Sequence, residues 1–165
     1  MTGPRRLSQA ISEGDGISLI VAVDGPEEAR RAEEGGAEAL LASGAAVEAI
    51  REASALPIVG FAEKGGDACI VSPGDEDLEL REGVELVVRV EREEELEEAL
   101  ERLDPELFVL AAGADGDDRL ERVLDLLSDL PAGKLAIADL RDPTQLEIEE
   151  LERAGMDAVL VRELP

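Results

Sequence analysis

Eight short apolar runs recur along the chain, at 17–23, 39–42, 57–61, 68–72, 85–90, 107–112, 134–139 and 157–162. Each has the length of a strand buried on both faces and is too short for a core helix. Between several of them the period changes. Leu96, Ala99, Leu100 and Leu103 form a helical stripe in an otherwise charged segment, and Leu120, Val123, Leu124 and Leu127 repeat it. Pro26 sits where a first helical turn tolerates proline, and Glu27 and Glu28 suit the positive end of the helix it opens. Strands alternating with helices imply a parallel sheet covered by helices. With eight strands, the expected α/β fold is a (β/α)8 TIM-type barrel; an open sheet of six to eight strands is the alternative.

Length makes that barrel compact. The chain has 165 residues, whereas such barrels typically take about 250. Between the third and fourth runs stand only "AEKGGD", residues 62–67, and a parallel crossover needs about a dozen residues or more. The stretch "SPGDEDLELREG", 72–83, allows at most a short helical turn or two. The expectation is a single minimal barrel over 1–165, with 1–15 leading into the first strand and at least one helix missing or shortened after strands three and four. The outward residues Ile58, Leu86 and Val88 then lack their usual cover, so either the neighbouring helices shift across or a second chain covers the gap, and a homodimer through the flank of strands three to five is the expected outcome.

A local repeat marks three strand entrances. "GAEALL" at 36, "GDACIV" at 66 and "GMDAVLV" at 155 each place a glycine before an acid or an acid-containing pair, an alanine and a strand. The glycine is expected to end a helix in a left-handed turn.

Composition limits the partners. There are 41 Asp and Glu against 16 Lys and Arg, a formal charge of −25, so the chain repels nucleic acid and its stability should depend on salt. With 44% hydrophobic residues the excess acid reads as a solvated surface around a packed core rather than as disorder. The single cysteine, Cys69, forms no internal disulfide and has no histidine to activate it, so it reads as a packed thiol. No membrane-length apolar run and no secretory pattern follow Met1; a cytoplasmic location is expected. Neither EF-hand nor zinc-ligand spacing occurs, and no metal or cofactor is expected.

Several stretches, taken in order, resemble indole-3-glycerol phosphate synthase, the barrel enzyme of tryptophan biosynthesis. "LSQAISEGDGISLIVAV" resembles the approach to its first strand, "GGAEALLA" its second and "ALPIVGF" its third. "GVELVVRVEREEELEEAL" resembles the fifth strand and helix, and "LERAGMDAVLVREL" the last helix and strand. The reaction of that family closes an indole ring with loss of carbon dioxide and water, and it needs Lys and Glu side chains at the strand ends as acid and base. By the resemblance, a family Glu and Lys of the first strand fall on Ala22 and Asp24, and the catalytic Lys of the third on Phe61. The fifth-strand Glu falls on Arg89, the sixth-strand Asn and Arg on Ala111 and Gly113, and a seventh-strand Glu on Asp139. Glycines that let phosphate approach the backbone fall on Arg141 and Arg162.

The resemblance therefore implies a scaffold without its catalytic residues. The chain has no His, Tyr or Trp, and its only lysines are Lys64 and Lys134. Strand parity is expected to gather Asp24, Arg89, Asp139 and Arg162 near the C-terminal face of the barrel, either as a structural charge network or as a site in which Arg89, Arg141 and Arg162 hold a small anionic ligand. Three functions follow from this reading: an inactive scaffold or interaction protein, a small anion or phosphate-ligand binder at the mouth, and an enzyme of unrelated chemistry on the same barrel.

Overall fold

A computed structural model describes residues 7–13, 16–42, 44–61, 66–72, 84–112, 118–140 and 142–162. Eight parallel strands close into one barrel in chain order: β1 Ser18–Ala22, β2 Ala39–Leu41, β3 Ile58–Phe61, β4 Ala68–Val71, β5 Glu85–Val90, β6 Leu107–Ala111, β7 Leu135–Asp139 and β8 Ala158–Val161. The ring is sealed by β1 against β8, with Ser18 opposite Ala158 and Val21 opposite Val161. Tracing the register once round returns to β1 about eight residues nearer the N-terminus, the stagger of a TIM barrel. Every apolar run of the sequence supplies one strand.

The described helices are α1 Leu7–Glu13, α2 Pro26–Glu34, α3 Val47–Ala53, α4 Glu93–Arg102, α5 Arg119–Asp129 and α6 Gln145–Ala154, with a 3-10 turn at Gly44–Ala46. The connection from β3 to β4 is too short to hold a crossover helix; residues 73–83, where a shortened helix was expected, lie outside the described residues. Among the described residues, no helix is long and apolar enough to cross a membrane.

Two apolar layers hold the barrel together, and strand alternation assigns residues to them. Ile20, Ala39, Val59, Ala68, Ile70, Val87, Leu107, Val109, Ile137, Ala158 and Leu160 point inward and form one cluster. The alternate residues, such as Val21, Leu40, Ile58, Val88, Phe108, Ala138 and Val159, join the helices in a second. At the N-terminal end the interior is closed by α1, which stands within the segment 1–15 that leads into the first strand. Leu7 and Ile11, one turn apart, belong to the interior cluster.

At the flank of β3 to β5 the chain supplies much of the cover itself. Ile58 and Val88 are fully buried and Leu86 is half-buried, so two of the three side chains are covered by the chain itself. They share the outer layer with Ile50 of α3 and Leu96 of α4. Between them the outward positions are the small Gly60 and Cys69, which need less cover than a standard pair of branched residues. Cys69 is buried, in line with a packed thiol.

The acidic position of the repeat has a structural use. Asp67, just before β4, accepts from the Ile58 amide through Oδ2 at 2.9 Å and from Arg51 Nη2 through Oδ1 at 3.0 Å, and its own amide donates to the Ile58 carbonyl at 2.7 Å. Asp157, just before β8, accepts from the Ala136 amide at 2.8 Å and donates its amide to the Ala136 carbonyl at 3.1 Å. Glu38 makes a looser version: its amide donates to Leu19 and its Oε2 accepts from the buried Ser18 hydroxyl at 3.1 Å. The acids clamp each incoming strand to its neighbour at the bottom of the barrel. The glycine has two roles. Gly36 and Gly155 take the left-handed conformation, with φ of 99° and 96°, and end α2 and α6. Gly66 does not. A Cβ there would lie 2.9 Å from the Ala68 carbonyl and 3.1 Å from the Ile58 carbonyl, so this glycine permits a close backbone approach at the entrance to β4.

Candidate functional site at the barrel mouth

Inward-facing side chains near the C-terminal ends of the strands line a cavity of about 390 Å³. Among the described residues its walls are Ala22, Leu41, Ile70, Leu160 and Val161, with Arg89, Asp139 and Arg162 as the charged groups. Parity explains the set: Ala22, Leu41, Ile70, Arg89, Asp139 and Leu160 continue the inward alternation of β1, β2, β4, β5, β7 and β8.

Arg89 crosses the mouth. Its Nη1 donates to Asp139 Oδ2 at 2.5 Å, and its Nη2 lies 3.4 Å from Glu91 Oε1. The arginine side chain is 30% exposed and the aspartate 19%, so the pair is only partly desolvated. The chain beyond Asp139 is fixed by Arg119, whose Nη1 donates to the Leu140 carbonyl at 2.7 Å. Arg162 stands on the rim, 67% exposed, with its Nε 3.9 Å from Asp142 Oδ1, a long and solvent-screened contact.

The four expected mouth residues that the structure describes do not form one cluster. Arg89, Asp139 and Arg162 line the same cavity. Asp24 lies on a neighbouring cleft of about 630 Å³ between β1 and α2, with Glu28 and Arg31; among the described residues Ala22 and Arg162 border both. The reason is local. Asp24 follows the end of β1, where the chain has turned toward α2 and its amide donates to Glu28 Oε2 at 2.9 Å; strand parity no longer applies there. Arg141 and Lys64 lie outside the described residues. Sequence reasoning missed Glu91 as a second partner of Arg89, and also missed the apolar floor, although alternation along β2, β4 and β8 carries Leu41, Ile70 and Leu160.

The chemistry of this lining favours holding charge over moving protons. A guanidinium stays protonated at any ordinary pH and cannot serve as a base. The one carboxylate among the described lining residues, Asp139, already accepts from Arg89. Among the described residues, no three His, Cys, Asp or Glu side chains group as metal ligands. Arg89→Ala is expected to cost about 1 kcal/mol of stability, because the pair is only partly desolvated and water replaces part of what is lost. Urea unfolding of that variant measures it, and an unchanged midpoint rules out a structural role for the pair.

No family model matches the chain, and no curated protein matches its sequence. Solved structures do match in fold. The N-acetylmannosamine-6-phosphate 2-epimerase of Clostridium perfringens superposes with a TM-score of 0.72 at 14% identity, over 98% of this chain and 91% of that one. GGGPS of Thermoplasma volcanium gives 0.65 at 15% identity, over 96% and 89%. The orotidine 5'-phosphate decarboxylase of Pyrococcus horikoshii gives 0.64 at 15% identity, over 87% and 88%. None of the three is described as an indole-3-glycerol phosphate synthase, and at these identities the likeness establishes the barrel fold.

Proposed function

We propose that this barrel binds a small organic anion at its mouth and does not catalyse the indole-3-glycerol phosphate synthase reaction. One observation carries the reading: in a chain of net charge −25, the described lining of the mouth cavity holds two guanidinium groups against one carboxylate. Guanidinium groups gathered at the C-terminal face of a barrel, even with Glu91 and Asp142 beside them, offer an anion partners that the rest of this acidic surface does not. The volume lies in the range of ligand pockets, roughly 300–1,000 Å³. Two of the structures similar in fold are enzymes named for phosphate-bearing compounds, which supports an anion at this end. Against turnover stand Ala22 and Phe61, where the resemblance places an acid and the catalytic lysine, and Arg89, where it places a glutamate.

The test has two parts. Incubation with the carboxyphenylamino sugar phosphate is expected to release no indole product above the buffer rate; measurable turnover that disappears in Asp139→Asn overturns the non-catalytic reading. A thermal-shift series with small anions is expected to find at least one that stabilises the protein and loses its effect in Arg162→Ala. A series with no such anion leaves the barrel as a scaffold and overturns the binding reading.

A further inference from the structure

We infer that the mouth ligand is a monocarboxylate carried on a compact apolar body, of about the size of benzoate or hexanoate, and not a sugar phosphate. This rests on the mouth being an anion site, and it adds the ligand class. Three observations point to it. The first is the floor. Ala22, Leu41, Ile70 and Leu160 present hydrocarbon, and no described lining side chain is a hydroxyl or an amide. A sugar pressed against that floor loses water from its hydroxyls and gains no partner, whereas a hydrocarbon body is favoured there.

The second is the number of reachable cations. Arg89 spends Nη1 on Asp139 and points Nη2 toward Glu91, while Arg162 is exposed and holds Asp142 only at 3.9 Å. Among the described residues that leaves one reachable guanidinium fork, which matches the two oxygens of one carboxylate. The third is charge. Asp139, Glu91 and Asp142 stand close to these arginines, and the rest of the chain is strongly acidic. Repulsion rises with ligand charge, so a monoanion is tolerated better than a phosphate dianion. The cavity of about 390 Å³ lies near the small end for ligand pockets, which suits a body of this size.

Titration calorimetry and thermal shift on the full chain test this with benzoate and hexanoate as probes. Acetate, benzyl alcohol, inorganic phosphate and ribose 5-phosphate serve as comparisons. Benzoate or hexanoate is expected to bind and to raise the melting temperature. Acetate, which lacks the body, and benzyl alcohol, which lacks the charge, are expected to bind at least tenfold more weakly. Arg162→Ala, a change at an exposed rim position, is expected to weaken benzoate at least tenfold with little change in the melting temperature of the free protein. Leu160→Ala is expected to weaken benzoate while leaving acetate unchanged. If ribose 5-phosphate or inorganic phosphate binds more tightly than either probe, and does so through Arg162, the ligand class is wrong while the anion site stands. If no anion binds, both fail. Benzoate binding that is indifferent to Arg162→Ala places the ligand elsewhere and overturns the inference.

Discussion

Replacing Asp67 with alanine is expected to lower the melting temperature by about 6–12 °C, the equivalent of about 3 kcal/mol in a domain of this size. Asp67 is 8% exposed and works in four directions at once. Its carboxylate takes the Ile58 amide and Arg51 Nη2; its backbone donates to the Ile58 carbonyl and accepts from the Glu85 amide at 3.0 Å. Alanine keeps the two backbone bonds and removes the two made by the side chain. The Ile58 amide, in a fully buried residue, loses this acceptor, at a cost of about 1–3 kcal/mol. Arg51 also loses a charged partner, but its side chain is 36% exposed and water replaces part of the loss. Asparagine retains an acceptor for the Ile58 amide, so Asp67→Asn is expected to cost about 1 kcal/mol. Asp157 provides the comparison: it makes the same clamp on Ala136 without an arginine and with more exposure, so alanine there should cost less than at Asp67. Thermal and urea unfolding of the three variants check the order, and a wild-type midpoint for Asp67→Ala removes the clamp from the account of stability.

The position of Asp67 also shows what could be read without coordinates. The strands were legible because burial on both faces leaves a continuous apolar run, and all eight runs became strands. The acid of the repeat was visible as a pattern, but its partners lie at the start of an adjacent strand, and pairing across strands depends on register that no local signal states. Arg89 and Asp139 met as parity predicted because both stand within their strands. Asp24 stands past the end of its strand and went to the neighbouring cleft. The uncovered flank was inferred from a missing helix, yet cover depends on side-chain size. Gly60 and Cys69 reduce what has to be covered, and α3 and α4 join the same apolar layer. The helix α1 went unread because a stretch of two turns carries only Leu7 and Ile11 as its apolar pair, too few to establish a period.

Leu7→Ala is the second change with a large expected effect, about 3 kcal/mol, within the roughly 2–5 kcal/mol of Leu→Ala changes in cores. Leu7 is fully buried and Ile11 is 4% exposed, and both pack with the inward residues of the barrel. Here α1 supplies the hydrocarbon that closes the bottom of the interior, where small side chains such as Ala39, Ala68 and Ala158 leave room for it. Its orientation is set by Ser8, whose amide donates to Glu85 Oε1 at 3.1 Å and whose hydroxyl donates to Glu85 Oε2. A two-turn helix has no stability of its own, so its packing and this anchor must hold it. Removing the Leu7 side chain therefore leaves a cavity under the barrel and weakens the docking of the whole helix. Because the bottom of a TIM barrel serves stability and the top serves ligands, benzoate affinity at the mouth should stay within about twofold in Leu7→Ala while the unfolding midpoint falls. A variant as stable as the wild type would mean that α1 rests on the barrel without closing it. A variant that loses both stability and binding would mean that the two ends of this short barrel are coupled through the interior column from Leu7 to Leu160.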